Sequence, residues 1–266
     1  MYVSQFSSNE IIVDDDNFHR FAEDPVVGGE QMSRGMEEWR LAWGSYASVP
    51  QSLMIPRSEW DERIEEMERT RSRISDMTDA VGNLPVLNQN GTNYCWINGV
   101  VRCFELTRMV QGEPTVRLSP ASAGGPIKNY RNVGGWGDEG LDYIVKHGVV
   151  PVDLWPPNAI DRKYDTEESR KKRKEFMVPE WTELRPRNED ELISLLLNRI
   201  PVAVGFNWWR HLVCAVDPVA LGRGQYGTRI DNSWGPQWGE NGRGILKGTR
   251  HLPDGAVCIR SVTPGE

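Results

Sequence analysis

The spacing of hydrophobic and polar positions changes period along this chain, with helical patterns first and strand patterns later. From Cys95 onward apolar residues recur at helical spacing, with Ile97, Val100, Val101 and Phe104 on one stripe. The stretch just before it, Asn88-Gln89-Asn90-Gly91-Thr92-Asn93, is polar and turn-rich, so a helix is predicted to begin at Cys95. Leu141, Ile144 and Val145 place a second helix over 138–147, closed by Gly148, and Asn188 is positioned to cap a third over 189–199. Beyond it, short apolar runs at Val202–Phe206, 212–216, Gln225–Asp231 and 244–247 are separated by Gly- and Pro-bearing turns and read as strands. Helices followed by strands predict an α+β protein of two lobes with a cleft between them.

The N-terminal third is less regular. Residues 1–50 are acidic early and broken by Pro25 and Gly28-Gly29, which predicts extended or loosely helical chain. Ser58-Glu59-Trp60-Asp61 has the spacing of a capping box, and Trp60, Ile64, Met67 and Ile74 then follow one helical stripe through a charged run. That helix needs an apolar partner, either the rest of the chain or another molecule.

Composition narrows the setting. With 266 residues, 38% hydrophobic content and 11 Trp, the chain can bury a large core. A net charge of −7 disfavours nucleic acid as a partner, and the basic run Arg170 to Lys174 follows Asp165, Glu167 and Glu168, so it reads as a solvated helix of mixed charge. No stretch approaches the ~20 apolar residues of a membrane span, and the first 16 residues lack the basic and apolar regions of a signal peptide. Of four cysteines, Cys103 and Cys214 lie in apolar stretches that read as core. No disulfide and a cytoplasmic or other reducing compartment are therefore expected, without secretion. His-Glu-x-x-His, Cys-x-x-Cys, Walker and Gly-x-Ser-x-Gly motifs are all missing, so neither metal nor cofactor is expected.

Candidate chemistry gathers around Cys95-Trp96. A thiolate attacks carbonyls well but is scarce at neutral pH, so such a site needs a nearby base, and a helix N-terminus favours the anion. An imidazole can be that base if an acceptor on its other nitrogen fixes its tautomer, and a side-chain amide oxygen serves. A tetrahedral intermediate needs amide donors for its oxyanion. Gln89, Cys95, His211 and Asn232, the last in Asn232-Ser233-Trp234-Gly235, supply one residue for each part. His211 stands apart from His19, His147 and His251 because it opens an apolar strand after Trp208-Trp209-Arg210.

Gln89, Cys95-Trp96, His211 and Asn232-Ser233-Trp234-Gly235, followed by Trp238-Gly239-Glu240-Asn241-Gly242, resemble the papain family of cysteine peptidases in identity and in order, over roughly residues 83–262. The resemblance implies a two-lobed papain-like fold, with a helical lobe carrying the Cys and an antiparallel β lobe carrying the His. It also implies a thiol endopeptidase that cleaves polypeptides through a Cys95 acyl-enzyme, with residues 83–266 as the peptidase domain and 1–82 as an N-terminal arm. The arm is a pro-like clamp or a docking region. Gly134-Gly135 match the family's double glycine, where a substrate backbone lies, Trp136 and Trp209 match the walls of the main specificity pocket, and Trp234 is placed to shield His211. A tight aromatic pocket for small or flat apolar side chains is expected.

Departures are as informative. Thr92-Asn93-Tyr94 replaces the Cys-Gly-Ser of extracellular members, and Asn132 stands where a Cys precedes the double glycine, so both halves of one family disulfide are missing. Cys95 and His211 are closer in sequence than the roughly 130–150 residues usual in the family, which implies trimmed loops. The rival expectation is a structural or assembly protein, such as a virion component, that retains the fold and docks to a larger assembly through residues 1–82.

Overall fold

The structure is a computed structural model that describes residues 2–22, 26–27, 30–31, 35–37 and 47–262. Pro25 and Gly28-Gly29, the expected breakers, lie outside these residues. In chain order the elements are β1 (Ile11–Val13), α1 (His19–Ala22), β2 (Val26–Val27), β3 (Glu30–Gln31), β4 (Ala47–Ser48), α2 (Trp60–Arg69), α3 (Ile74–Val81), α4 (Cys95–Val110), α5 (Ala121–Ile127) and α6 (Gly137–His147). They continue with α7 (Glu167–Lys172), β5 (Thr182–Leu184), α8 (Glu189–Leu197), β6 (Val202–Phe206), β7 (His211–Gly222), β8 (Gln225–Asp231), β9 (Arg243–Lys247) and β10 (Gly255–Cys258).

Helix α4 is the axis of the molecule. Every residue from Cys95 to Met109 is buried, because its apolar stripe packs on β7 and α6 while its charged residues are paired internally. The β lobe is one sheet in the order β1-β9-β8-β7-β6-β10-β5-β4. From β9 to β5 every pairing is antiparallel, as expected, and α8 lies on β6 and β7. The helix caps also follow the sequence: Asn188 Oδ1 accepts from the Glu191 N–H at 3.1 Å, and Gly148 closes α6 at φ 76°.

The arm is stitched into this sheet. β1 pairs parallel to β9 (Ile11↔Gly244) and β4 parallel to β5 (Ala47↔Thr182), so both outer strands of the sheet come from residues 1–82 and cover edges that would otherwise expose unpaired backbone.

Two local expectations are corrected. The stripe through Trp60, Ile64, Met67 and Ile74 is not one helix: Arg71 adopts φ 52°, which ends α2 and lets α3 set off from Ile74. Trp60, Ile64 and Met67 bury against Ile193, Leu197, Ala220 and Tyr226, whereas Ile74 joins the core around α4. The capping box does not form either. A 3-10 turn over Arg57–Glu59 leads into α2, and the Arg57 guanidinium ties that turn to Glu189 and Asp190 at 2.6 and 2.7 Å.

Beneath the cleft the lobes meet through buried charge. Arg102 of α4 pairs with Asp231 of β8 at 2.8 Å and with Glu105 at 3.3 Å, and Asp231 also accepts from Arg243 at 3.0 Å. Burial alone would raise the Asp231 carboxyl, but Arg102 and Arg243 outweigh it and hold it below the usual carboxylate range.

Candidate active site

Cys95 is the first residue of α4 and is fully buried. Tyr94 precedes it outside helical geometry, with its hydroxyl within hydrogen-bond reach of the Arg131 and Gly124 carbonyls at 2.9 and 3.2 Å and able to donate to one of them, so the entry to the helix is anchored on the helical lobe. Across the cleft, the turn from β6 to β7 ends at Arg210 with φ 50°, and His211 opens β7 opposite Phe206.

The hydrogen bonds fix the state of His211. Asn232 Oδ1 accepts from the Ser233 backbone N–H at 2.7 Å, which identifies that atom as the amide oxygen, since a backbone N–H can only donate. The same oxygen lies 2.8 Å from His211 Nε2, so Nε2 carries the proton and Nδ1 is left as the basic nitrogen. Trp234 stacks on the imidazole at 4.6 Å and 20° and keeps water from this bond.

Gln89 is tied to the same run. Its N–H donates to the Ser233 carbonyl at 2.8 Å, Asn88 bridges Trp234, and the Gly235 N–H donates to the Leu87 carbonyl at 3.0 Å. Its carboxamide is oriented at both ends, with Oε1 accepting from Ser233 Oγ at 2.6 Å and Nε2 donating to the Thr92 carbonyl at 2.8 Å. Ser233 thus holds both Gln89 and Asn232. Sequence reasoning assigned it no role, and its signal was its place beside Asn232.

The pocket residues are distributed otherwise than expected. Trp136 and Trp96 share Lys128, whose ammonium lies over both rings, on the helical lobe. Trp209 is fully buried, stacked on Trp208 at 5.2 Å and edge-on to His211 at 4.9 Å, in a cluster with Phe206, Trp234 and Trp238. An indole with no exposed surface backs the imidazole rather than walling a substrate pocket.

The double glycine is already occupied by the chain's own arm. Met36 forms a parallel bridge with Gly135: the Gly135 N–H donates to the Gly35 carbonyl at 2.9 Å, and the Glu37 N–H to the Gly135 carbonyl at 3.2 Å. The Met36 N–H donates to the Arg210 carbonyl at 3.3 Å, so the strap spans from the helical wall to the residue before His211. Gly35 has φ 150° and runs against the Asn93 carbonyl, where a Cβ could not fit. A cavity of about 380 Å³ is bordered by Gly35, Met36, Glu37, Asn93, Gly134 and Arg210.

Where the family disulfide is missing, two asparagines form a clamp. Asn132 Oδ1 accepts from the Asn93 N–H at 2.6 Å and Asn132 Nδ2 donates to the Gly91 carbonyl at 3.1 Å, bracketing Thr92.

The helical lobe thus carries a cysteine at a helix N-terminus, and the sheet carries an imidazole–asparagine pair at the start of β7. No family model matches the chain. It is 26% identical over 220 residues to cathepsin L 2 of Paramecium tetraurelia, covering 76% of this chain and 68% of that protein. It is 28% identical over 182 residues to the oryzain beta chain of Oryza sativa subsp. japonica, covering 59% and 38%. Among solved structures it superposes on the digestive procathepsin L 3 of Tenebrio molitor larval midgut with a TM-score of 0.57 at 19% identity, covering 67% and 66%. The chain has a papain-like fold and is similar in sequence to papain-family cysteine proteases.

These relatives overturn the expected cytoplasmic or other reducing compartment, because cathepsin L, oryzain and mexicain are lysosomal or secreted proteases with propeptides. The physical weakness of that expectation is burial. All four cysteines are buried, so free thiols here are shielded by packing and carry no information about the redox state outside.

Proposed function

We propose that this chain is a thiol endopeptidase with Cys95, His211, Asn232 and Gln89 as its catalytic residues, and that its own arm holds the cleft shut. The observation that carries this reading is the His211–Asn232 bond at 2.8 Å, whose partners leave Nδ1 as the base. His211 Nδ1 takes the Cys95 proton, and the sulfur attacks the peptide carbonyl. The imidazolium then protonates the leaving amine, and water activated by the same nitrogen hydrolyses the acyl-enzyme. The backbone N–H of Cys95 and the second N–H of Gln89 Nε2 are the donors assigned to the oxyanion, each worth about 10²–10³ in rate.

Residues 1–82 act as the arm and 83–266 as the peptidase domain. Strap residues 35–37 take the place of substrate on Gly134-Gly135, and the buried Met36 side chain indicates that an unbranched apolar residue suits the neighbouring subsite. A structural or virion role with docking through residues 1–82 is not favoured, since the apolar stripe of α2 is spent on α8, β7 and β8 of the same chain.

Iodoacetamide labelling of the native protein, mapped by peptide mass spectrometry, tests the site. With the strap loosened by Gly35→Ala, Cys95 is expected to label at a rate that adding His211→Ala lowers at least tenfold, with hydrolysis of fluorogenic peptides lost in parallel. Equal labelling in those two strap-loosened proteins would sink the reading. A marked preference for acidic or basic residues in a peptide library would overturn the subsite assignment.

A further inference from the structure

Two of the four cysteines face each other. Cys103 lies in the third turn of α4 and Cys214 in β7, 111 residues apart in sequence, and their sulfurs are 3.2 Å apart. Both side chains are buried in the core around α4, with exposures of 1% and 0%. Cys258 lies on β10 in the other large cluster, and Cys95 is the candidate nucleophile. A buried thiol is a weak hydrogen-bond donor, so two of them pressed together gain little as thiols. A covalent bond needs the sulfurs to close from 3.2 Å to about 2.05 Å.

We propose that Cys103 and Cys214 are a disulfide site that staples the helix of the nucleophile to the strand of the imidazole. The two thiols lose two protons and two electrons, and a small-molecule disulfide such as oxidised glutathione accepts them and departs as two thiols. The reaction runs through a mixed disulfide, resolved when the second thiolate attacks. Burial, with Cys103 beside it, pushes the Cys214 thiol well up, so the reaction belongs to folding, before the lobes close over the pair. Once formed, the bond is out of reach of reductants until the protein opens.

The position of the bond matters for the site. Cys103 follows Cys95 on one helix and Cys214 follows His211 on one strand, so a bond between them fixes the spacing of those two elements at the floor of the cleft. The family bond that this chain lacks is replaced at the rim by the Asn93–Asn132 clamp. The staple is therefore displaced from the rim to the floor, and it does not depend on the chain being an active peptidase.

The test is to fold the full chain with oxidised glutathione, quench and alkylate it in denaturant without reductant, and map the peptides. A linked Cys103–Cys214 pair, two hydrogens lighter than the dithiol, is expected, with Cys95 and Cys258 alkylated. Reduction in denaturant and refolding with reductant should lower Tm by on the order of 10 °C, as closing so long a loop implies. The double variant Cys103→Ala/Cys214→Ala, which leaves no unpaired thiol of the pair, should show no such redox dependence. Recovery of both cysteines alkylated, or of Cys258 linked to Cys103, would overturn the proposal.

Discussion

The floor and the rim of the cleft connect the same two lobes with opposite chemistry. At the floor, Arg102 and Asp231 are 2% and 1% exposed, and Cys103 meets Cys214 in the same buried layer. At the rim, the lobes are bridged by backbone hydrogen bonds of three residues, Gly35 to Glu37, whose last member is exposed. Buried ion pairs hold their geometry because breaking them strands a charge, whereas backbone bonds at a surface exchange for water at little net cost. A permanent floor and a releasable rim are what a peptidase kept closed by its own arm requires.

The largest effect is expected from Asp231→Asn. It leaves buried Arg102 with Glu105 as its remaining charged partner, and removing one partner of a buried pair costs about 3–5 kcal/mol. At about 2–4 °C per kcal/mol, Tm should fall by roughly 6–20 °C. The pH dependence has a definite sign. Because the folded-state carboxyl is held below its unfolded value, its contribution is present above the unfolded pKa of about 4 and is lost as pH falls through the lowered value. Urea unfolding across acid pH should therefore show a shallower acid loss in the variant than in the wild type. Parallel curves would show that Asp231 is not held by the two guanidiniums.

Gly35→Ala attacks the rim instead. At φ 150° and against the Asn93 carbonyl, a side chain is excluded, and such strain costs about 1–3 kcal/mol. That free energy should appear as strap opening, so Cys95 labelling should rise about 5- to 150-fold while Tm stays close to the wild type. A fall in Tm without faster labelling would mean that the strap is part of the core and not a release point.

The sequence made the site legible because the chemistry tolerates few residue types: a thiol, an imidazole, an amide acceptor and an amide donor, in an order along the chain that matches their positions in the fold. The start of α4 at Cys95 and the strands β6 and β8 were legible for a different reason, since period and turn residues agree there. The strap was not, because Gly35-Met36-Glu37 has no period and its partner Gly135 is far along the chain. The break between α2 and α3 was hidden because Ile74 falls in phase with Met67, and only the backbone at Arg71 reveals the turn. Trp208-Trp209 was ambiguous in principle, as an aromatic pair reads alike whether it lines a pocket or backs an imidazole.

The smallest effect sharpens the contrast most finely. Asn132→Ala removes an acceptor for the Asn93 N–H and a donor to the Gly91 carbonyl, both at exposed positions where water can replace them. A net cost of about 0.5–1.5 kcal/mol is expected, at the lower end because nothing is left buried and unpaired. Asn93 also lends its carbonyl to the approach of Gly35, so loosening the clamp should relax the strap as well as the loop. Cys95 labelling should then rise several-fold with Tm nearly unchanged, a weaker copy of Gly35→Ala. In the double variant the two effects should fall short of adding, because both act on the same contact. Full additivity would place the clamp and the strap in independent parts of the rim.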